Sequence, residues 1–486
     1  MTTTGLAALL LVALLPKAPA QTLRAAGDKH QLLMGTAAGY GSLNDTNYTT
    51  TLAREYSQLQ PENDLKWGSV HPQQSTFNFT NGDGLQAFAA AHSMKMRGHT
   101  LVWYQGNPSW LTSGGFTPAQ LSTILQTHIS TVAGHYQGKI YAWDVVNEAI
   151  ADAGGGVRSS IWYDSPGIGF AGQGTKYIEQ AFRWARAADA NALLFYNDYG
   201  IEVVNPKSTA VYNMVKDFKN RGVPIDGVGF QAHLPLSSLD LASFDTNLQR
   251  FTALGIQVQI TEMDVKVPVD ANGNATAADL TTEANVYRSV LNVCLKYPQF
   301  TAFQTWGFTD AHSWIPGSYP GYGAALPFDK NYQPKPCYWQ IRDLLQNQAE
   351  VLPIAASSGQ AARTVTDVSY SGGEGIVFDS VAVGNYLTFT VNLPEVRPYD
   401  VRLGVKKFVG RGICQLAVAA AGTTNYTNHG SPIDLFSAAA SFEEIDVNTF
   451  TPGTAGDKLF RFTVTGKNAQ SSDYSLAIDY IRLIPQ

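Results

Sequence analysis

Eight short apolar runs, separated by longer segments of helical periodicity, organise the chain from about residue 30 to 347. Alternation of that kind belongs to a parallel sheet whose strands are joined by crossover helices, and eight repeats are the number that closes a (β/α)8 TIM barrel, an α/β fold. The runs fall at residues 32–37, 56–61, 94–103, 140–147, 193–197, 227–233, 256–262 and 300–306. Between the fourth and fifth, Tyr177, Ile178, Ala181, Phe182 and Ala185 recur at three- and four-residue spacings, which makes one apolar face on a helix laid against a sheet. Segments 85–91 and 284–295 follow the same pattern.

The rhythm changes after Asn347. Residues 351–358 read as a linker following a barrel domain at 21–350, and beyond them only strand-like runs occur, at 386–391, 399–405, 413–418, 459–464 and 475–483. Separated by Gly, Pro and Asn, these runs predict a smaller all-β sandwich over 359–486. At the other end, the apolar run 5–15 is shorter than the roughly 20 residues of a membrane helix, and Ala18-Pro19-Ala20 fits a signal-peptidase site. Residues 1–20 therefore read as a signal peptide, and the expected protein is secreted and extracellular, with no membrane anchor. The three cysteines, Cys294, Cys337 and Cys414, lack C-x-x-C spacing; they are buried thiols, or Cys294 and Cys337 are bridged in an oxidising compartment.

In a barrel of this type the polar residues where each strand stops face the reaction site, so the ends of the runs carry the functional information. The second run leads into Glu62-Asn63-Asp64-Leu65-Lys66, the third contains His99 and Trp103, and the fourth closes on Trp143-Asp144-Val145-Val146-Asn147-Glu148. The sixth ends in Gln231-Ala232-His233, the seventh in Thr261-Glu262-Met263-Asp264, and the eighth in Trp306 with Trp314 close behind. Two glutamates on separate strand ends, Glu148 and Glu262, form the carboxylate pair that glycosidic bond cleavage requires, one to protonate the leaving oxygen and one to attack or to activate water. Asn147 is placed to donate to a sugar hydroxyl, and His233 to bond Glu262 while Asp264 orients it. A His99–Asp144 pair is expected to tune Glu148. Only 15% of the residues are charged and the net charge is −6, so no broad basic surface is expected and nucleic acid is excluded as a partner. The 9 Trp and 23 Tyr suit stacking on neutral rings such as sugars. No clustered His spacing suggests a metal, and no cofactor is expected.

The run Trp143-Asp144-Val145-Val146-Asn147-Glu148-Ala149 resembles the acid/base motif of the family 10 glycoside hydrolases, the retaining endo-β-1,4-xylanases, and Ile260-Thr261-Glu262-Met263-Asp264 resembles their nucleophile motif. The resemblance spans about residues 25–347 and implies that Glu148 is the general acid/base and Glu262 the nucleophile. It further implies that Glu62, Asn63 and Lys66 bind sugar at subsite −2, that His99, Trp103, Asn147, Gln231 and His233 surround the sugar at −1, and that Trp306 and Trp314 complete its floor. Asp144 and Asp264 play supporting parts. The implied partners are xylan and xylooligosaccharides, acted on by a monomer; a β-1,4-glucanase or mixed xylanase/cellulase is the alternative enzyme, and an inert polysaccharide-binding protein the alternative outside catalysis. Residues 358–486 resemble the galactose-binding-like sandwiches of secreted glycosidases, in Val383-Gly384-Asn385-Tyr386-Leu387 and Asp479-Tyr480-Ile481-Arg482-Leu483. That likeness implies a carbohydrate-binding module, with Tyr370, Phe408, Tyr426 and His429 in or near loops where stacking can occur.

Overall fold

The computed structural model describes residues 22–28, 30–237, 239–347, 354–358, 361–366, 374–393 and 396–485. The expected signal peptide and Tyr370 lie outside the described residues. The first part of the chain closes a parallel barrel of eight strands: β1 (Leu33–Ala38), β2 (Gln58–Pro61), β3 (Lys95–Val102), β4 (Ile140–Asn147), β5 (Leu193–Asp198), β6 (Gly227–Phe230), β7 (Gln257–Pro268) and β8 (Phe300–Thr305). Each pairs with the next, and β8 pairs with β1 to complete the ring. The helices between them bury one face each; in Lys176–Ala188 that face is Tyr177, Ile178, Ala181, Phe182 and Ala185, as the spacing requires. Local chemistry sets several helix starts, for example the reciprocal Thr117–Gln120 and Asn205–Ser208 capping boxes, each followed by proline in the first turn.

Two barrel strands differ from the expected runs. The sixth run stops as β6 at Phe230, turns through Gln231 and Ala232, whose φ is 59°, and resumes as a short strand His233–Pro235. The seventh does not stop at Glu262 but continues to Pro268, because its far half is paired beyond the barrel rim by His233–Pro235 on one side and Tyr322–Gly323 on the other. Glu262 therefore sits in mid-strand. The barrel interior near the site is polar: the fully buried Arg97 ion-pairs with Asp144, donates to Gln259 Oε1 at 2.6 Å and lies over the Phe195 ring at 4.4 Å. Gln304 Nε2 donates to Gln60 Oε1 at 2.7 Å. These partners make a buried cation and its amide neighbours tolerable.

The described residues of the remaining chain form two antiparallel five-stranded sheets. The strands are β9 (Ile354–Ser357), β10 (Ala362–Thr366), β11 (Glu374–Phe378), β12 (Tyr386–Leu393), β13 (Tyr399–Lys407), β14 (Gly412–Ala420), β15 (Thr427–Asp434), β16 (Ser441–Phe450), β17 (Gly456–Lys467) and β18 (Leu476–Pro485). One sheet runs β9-β12-β17-β14-β15 and the other β10-β11-β18-β13-β16. Their inner faces share a core that includes Leu387, Phe389, Phe460 and Phe462. The five strands expected from the sequence are all present; β9, β10, β11, β15 and β16 are absent from that reading, four of them edge strands and β11 an inner strand between β10 and β18. β15 reads Thr-Asn-His-Gly-Ser-Pro-Ile-Asp, a mostly exposed polar run with a proline that only an edge accommodates. The segment read as a linker is corrected at 354–357, which is strand β9 paired with β12.

The sandwich packs on the barrel through β18 and the helix Pro336–Asn347. Arg397 lies over the Trp339 ring at 5.9 Å, and Arg288 faces Glu444 at 3.7 Å. Cys294, Cys337 and Cys414 are buried free thiols, so no bridge joins Cys294 to Cys337. Among the described residues no helix is long and apolar enough to cross a membrane, and no group of three potential metal ligands occurs.

Candidate active site

At the end of β4 the backbone turns sharply: Glu148 has a φ of 55°, and its N–H donates to Asn197 O at 2.9 Å on the neighbouring strand. The turn carries the side chain over the barrel mouth, where only 8% of the residue is exposed. Its Oε2 accepts from the Trp103 indole N–H at 2.8 Å and its Oε1 from the Gln231 amide at 3.0 Å. Both donors are neutral. A carboxyl held in that way is oriented without being committed to an ion pair, the setting suited to a group that alternates between acid and base.

Glu262 has different company. Its Oε1 accepts from Asn197 Nδ2 at 2.7 Å, and its Oε2 is 3.1 Å from His233 Nε2. Burial by itself raises its pKa, but the His233 hydrogen bond and the charges of His99 and His233 outweigh burial and hold the carboxyl below its ordinary value. For His233, burial disfavours the cation, yet Asp264 and Glu262 on either side raise its pKa well above the usual imidazole value. Protonated His233 thus donates from Nε2 to Glu262 and from Nδ1 to Asp264 Oδ2, 2.9 Å away. Asp264 also accepts from Trp314 Nε1 at 2.7 Å, so the same carboxylate fixes a histidine and a tryptophan of the site wall. The result is an anchored carboxylate biased toward its charged form, as a nucleophile needs.

The amide of Asn147 lies between the two glutamates. Its Oδ1 accepts from Gln231 Nε2 at 3.2 Å and from Asn197 Nδ2 at 2.9 Å, which leaves its own nitrogen as the group to donate outward. Lys66 Nζ donates to Asn63 Oδ1 at 2.8 Å and sits 5.1 Å and 5.7 Å from the ring centres of Trp103 and Trp306. Burial lowers the Lys66 pKa, and attraction to Glu262, Glu62 and Glu148 opposes that fall. Burial raises the Glu62 pKa against the pull of Lys66 and the Asn63 hydrogen bond. Trp306 closes the opposite wall, edge-on to His99 at 5.3 Å and to His233 at 6.3 Å.

The residues singled out from the barrel's strand ends come together in this one cleft, but one pairing differs. His99 and Asp144 were expected to tune Glu148. Instead His99 Nδ1 is 3.0 Å from Asp144 Oδ2 and 4.0 Å from Glu262 Oε1, so the pair adjoins Glu262 across the barrel. Asp144 cannot turn to Glu148 because the buried Arg97 engages its carboxylate. Burial raises the Asp144 pKa, but Arg97 and His99 together bring it below the ordinary value.

The sequence reading passed over Asn197, which bonds Asn147 and Glu262 together and accepts from Thr261 Oγ1 at 2.7 Å. The signal was available, since β5 ends in Asn197-Asp198 just as its neighbours end in polar residues. It also passed over Arg97, an arginine inside an apolar run that periodicity alone does not flag. Behind Glu148, Arg158 Nε donates to the Glu148 carbonyl at 2.8 Å and its guanidinium pairs with Asp152 at 2.8 Å. Lys207 joins Asp152 at 2.9 Å to Asp198 at 2.8 Å.

Comparison with known proteins places this geometry. The profile of glycosyl hydrolase family 10 matches residues 22–344. Endo-1,4-beta-xylanase B of Thermotoga neapolitana is 44% identical over 329 residues, covering 67% of this chain and 92% of that protein. Endo-1,4-beta-xylanase C of Phanerodontia chrysosporium is 40% identical over 310 residues, covering 63% of this chain and 75% of that protein. The crystal structure of xylanase 10B from Thermotoga petrophila in complex with xylobiose superposes with a TM-score of 0.63 at 44% identity, over 67% of this chain and 97% of that one. Each likeness covers about two thirds of this chain.

Proposed function

The chain belongs to glycosyl hydrolase family 10 and is an endo-1,4-β-xylanase, and on that premise we propose that it is secreted, acts as a monomer and cleaves internal xylosidic bonds of xylan with retention of configuration. The observation that carries the mechanism is the unequal surroundings of the two carboxylates: two neutral donors on Glu148, and on Glu262 an amide with a histidine that is itself held by Asp264. Glu148 protonates the glycosidic oxygen as it leaves. Glu262 attacks the anomeric carbon from the opposite face, giving a xylosyl ester on its carboxylate. Glu148, now ionised, takes a proton from water, whose oxygen displaces Glu262 and returns the original anomer. Asn147 donates its amide to the 2-hydroxyl, a bond that strengthens as positive charge grows on the ring. Glu62, Asn63 and Lys66 bind the preceding sugar, while His99, Trp103, Gln231, His233, Trp306 and Trp314 enclose the reacting one. The sandwich binds polysaccharide.

Proton NMR of xylohexaose hydrolysis tests the retaining mechanism: the first product is the β anomer, and an initial α anomer overturns it. Reducing-sugar release that is greater from carboxymethylcellulose than from xylan would favour the glucanase reading. Secretion predicts a culture-medium protein whose N-terminal residue is Gln21; sedimentation of one 50 kDa-class species tests the monomer.

A further inference from the structure

The outer face of the sheet β9-β12-β17-β14-β15 carries a cation, Arg461, with no anionic partner among the described residues. Along β17, Lys458, Phe460, Phe462 and Val464 are buried toward the sandwich core, which turns Leu459, Arg461 and Thr463 outward. Arg461 stands opposite Thr388 of β12 and Ala417 of β14. Its guanidinium carbon lies 3.9 Å from the ring centre of Tyr386 and 3.8 Å from that of Tyr426. The two rings hold one planar group between them, and all three side chains are partly exposed.

The hydrogen bonding of this arginine is lopsided. Nε donates to Thr388 Oγ1 at 3.1 Å, and among the described residues no acceptor engages its two terminal nitrogens. Two other arginines of the sandwich are answered by acid: Arg402 by Asp400 at 2.7 Å and Asp446 at 3.1 Å, and Arg363 by Asp379 at 2.9 Å. A guanidinium whose plane is fixed by rings and whose stem is anchored presents a rigid two-donor edge, the complement of a carboxylate. The flanking tyrosines offer ring surface for a pyranose, and Ala417 beside them adds only a methyl group. In a chain of net charge −6, such a cation is a specific feature rather than part of a general basic field. Among the described residues the barrel packs against the other sheet, through β18.

We propose that Arg461, stacked between Tyr386 and Tyr426, binds the carboxylate of an acidic sugar, so that the sandwich takes uronic-acid-bearing xylan in preference to neutral xylan. The proposal rests on the reading of the sandwich as a polysaccharide-binding module and names its ligand class. Retaining the enzyme on acid-decorated chains would hold the cleft near bonds of the same polymer by raising effective concentration.

The test uses the full chain with Glu262→Gln to prevent digestion, and measures adsorption to insoluble glucuronoxylan and to the same polymer after chemical reduction of its carboxyl groups. Arg461→Met is expected to lower affinity for the acidic polymer about tenfold, the loss of a charge-assisted hydrogen-bond pair, and to leave the reduced polymer unaffected. Added salt should weaken the parent protein on the acidic polymer and bring it to the level of the variant. Arg461→Gln provides a second neutral replacement should the methionine variant melt early. Unchanged adsorption of the folded variants to the acidic polymer, or an equal loss on both polymers, overturns acidic-sugar recognition by Arg461. A barrel ending at residue 350, the part matched by 97% of the Thermotoga petrophila structure, separates the two readings. If it adsorbs as well as the full chain, the binding-module reading itself fails; if it adsorbs less while Arg461→Met does not, only the Arg461 assignment fails.

Discussion

Asn197→Ala removes one amide from the centre of the site and should move the pH dependence of catalysis in a known direction. Asn197 is fully buried, donates at 2.7 Å to Glu262 Oε1 and at 2.9 Å to Asn147 Oδ1, and accepts from Thr261 Oγ1 at 2.7 Å. The bond to Glu262 exists in its strong form only when that carboxylate is charged, so its loss disfavours the ionised nucleophile. A hydrogen bond to a charged group contributes about 1.5–3 kcal/mol. At 1.36 kcal/mol per pKa unit, this corresponds to a rise of about 1–2 units for Glu262. Because Glu262 must be ionised to attack, the acidic limb of kcat/KM should shift toward higher pH by that amount while the basic limb stays in place. The Thr261 hydroxyl left without its acceptor should lower stability by about 1–3 kcal/mol. The assay is the pH profile of kcat/KM on an aryl xylobioside, run at a temperature where circular dichroism shows the variant folded. An acidic limb that does not move, or a shift confined to the basic limb, would refute the idea that Asn197 helps hold Glu262 ionised.

Three further outcomes follow from the same geometry. Glu148→Ala should retain fast aryl release from xylobiosides with good leaving groups, which need no proton, whereas Glu262→Ala should abolish release from every substrate; pre-steady-state aryl bursts distinguish them, and equal losses contradict the assigned roles. Deleting residues 351–486 should leave kcat/KM on soluble xylooligosaccharides within about twofold, since no cleft residue comes from the sandwich, but it bares the Trp339 face of the last barrel helix and should lower Tm by calorimetry; the cut belongs before β9, because Ile354–Ser357 is part of the sandwich. Burial pushes Asp198 up to about 7, against the attraction of Lys207, so the folded protein holds this proton more tightly than the unfolded chain does; the contribution is fully present below about pH 4 and is lost as pH rises through 7, and Asp198→Asn should flatten that part of the stability profile in urea titrations at pH 4 to 8.

The barrel and its carboxylate pair were legible in the sequence because they depend on local order. A strand that must be buried on both faces reads as an apolar run, a helix on a sheet reads at three- and four-residue spacings, and in a barrel the residue after each run is committed to one rim. Those rules suffice to bring Glu148, Glu262, His233 and Trp306 to the same mouth without any knowledge of distance. They fail where the deciding partner is remote in sequence. His99 is 45 residues from Asp144 and 163 from Glu262, and only barrel closure determines that it adjoins Glu262 instead of Glu148. Arg97 breaks the apolar pattern of its strand, and its compensation by Asp144 and Gln259 exists only across the barrel interior. Glu262 lies in mid-strand because Tyr322–Gly323 and His233–Pro235 lengthen β7, a pairing that no property of residues 257–268 announces. The sandwich divides in the same way. The central strands β12, β13, β14, β17 and β18, buried on the core face, read as apolar runs, while β11 has only five residues and the edge strands β15 and β16 bury little and carry polar residues, so their conformation is imposed by the neighbours whose ladders they complete.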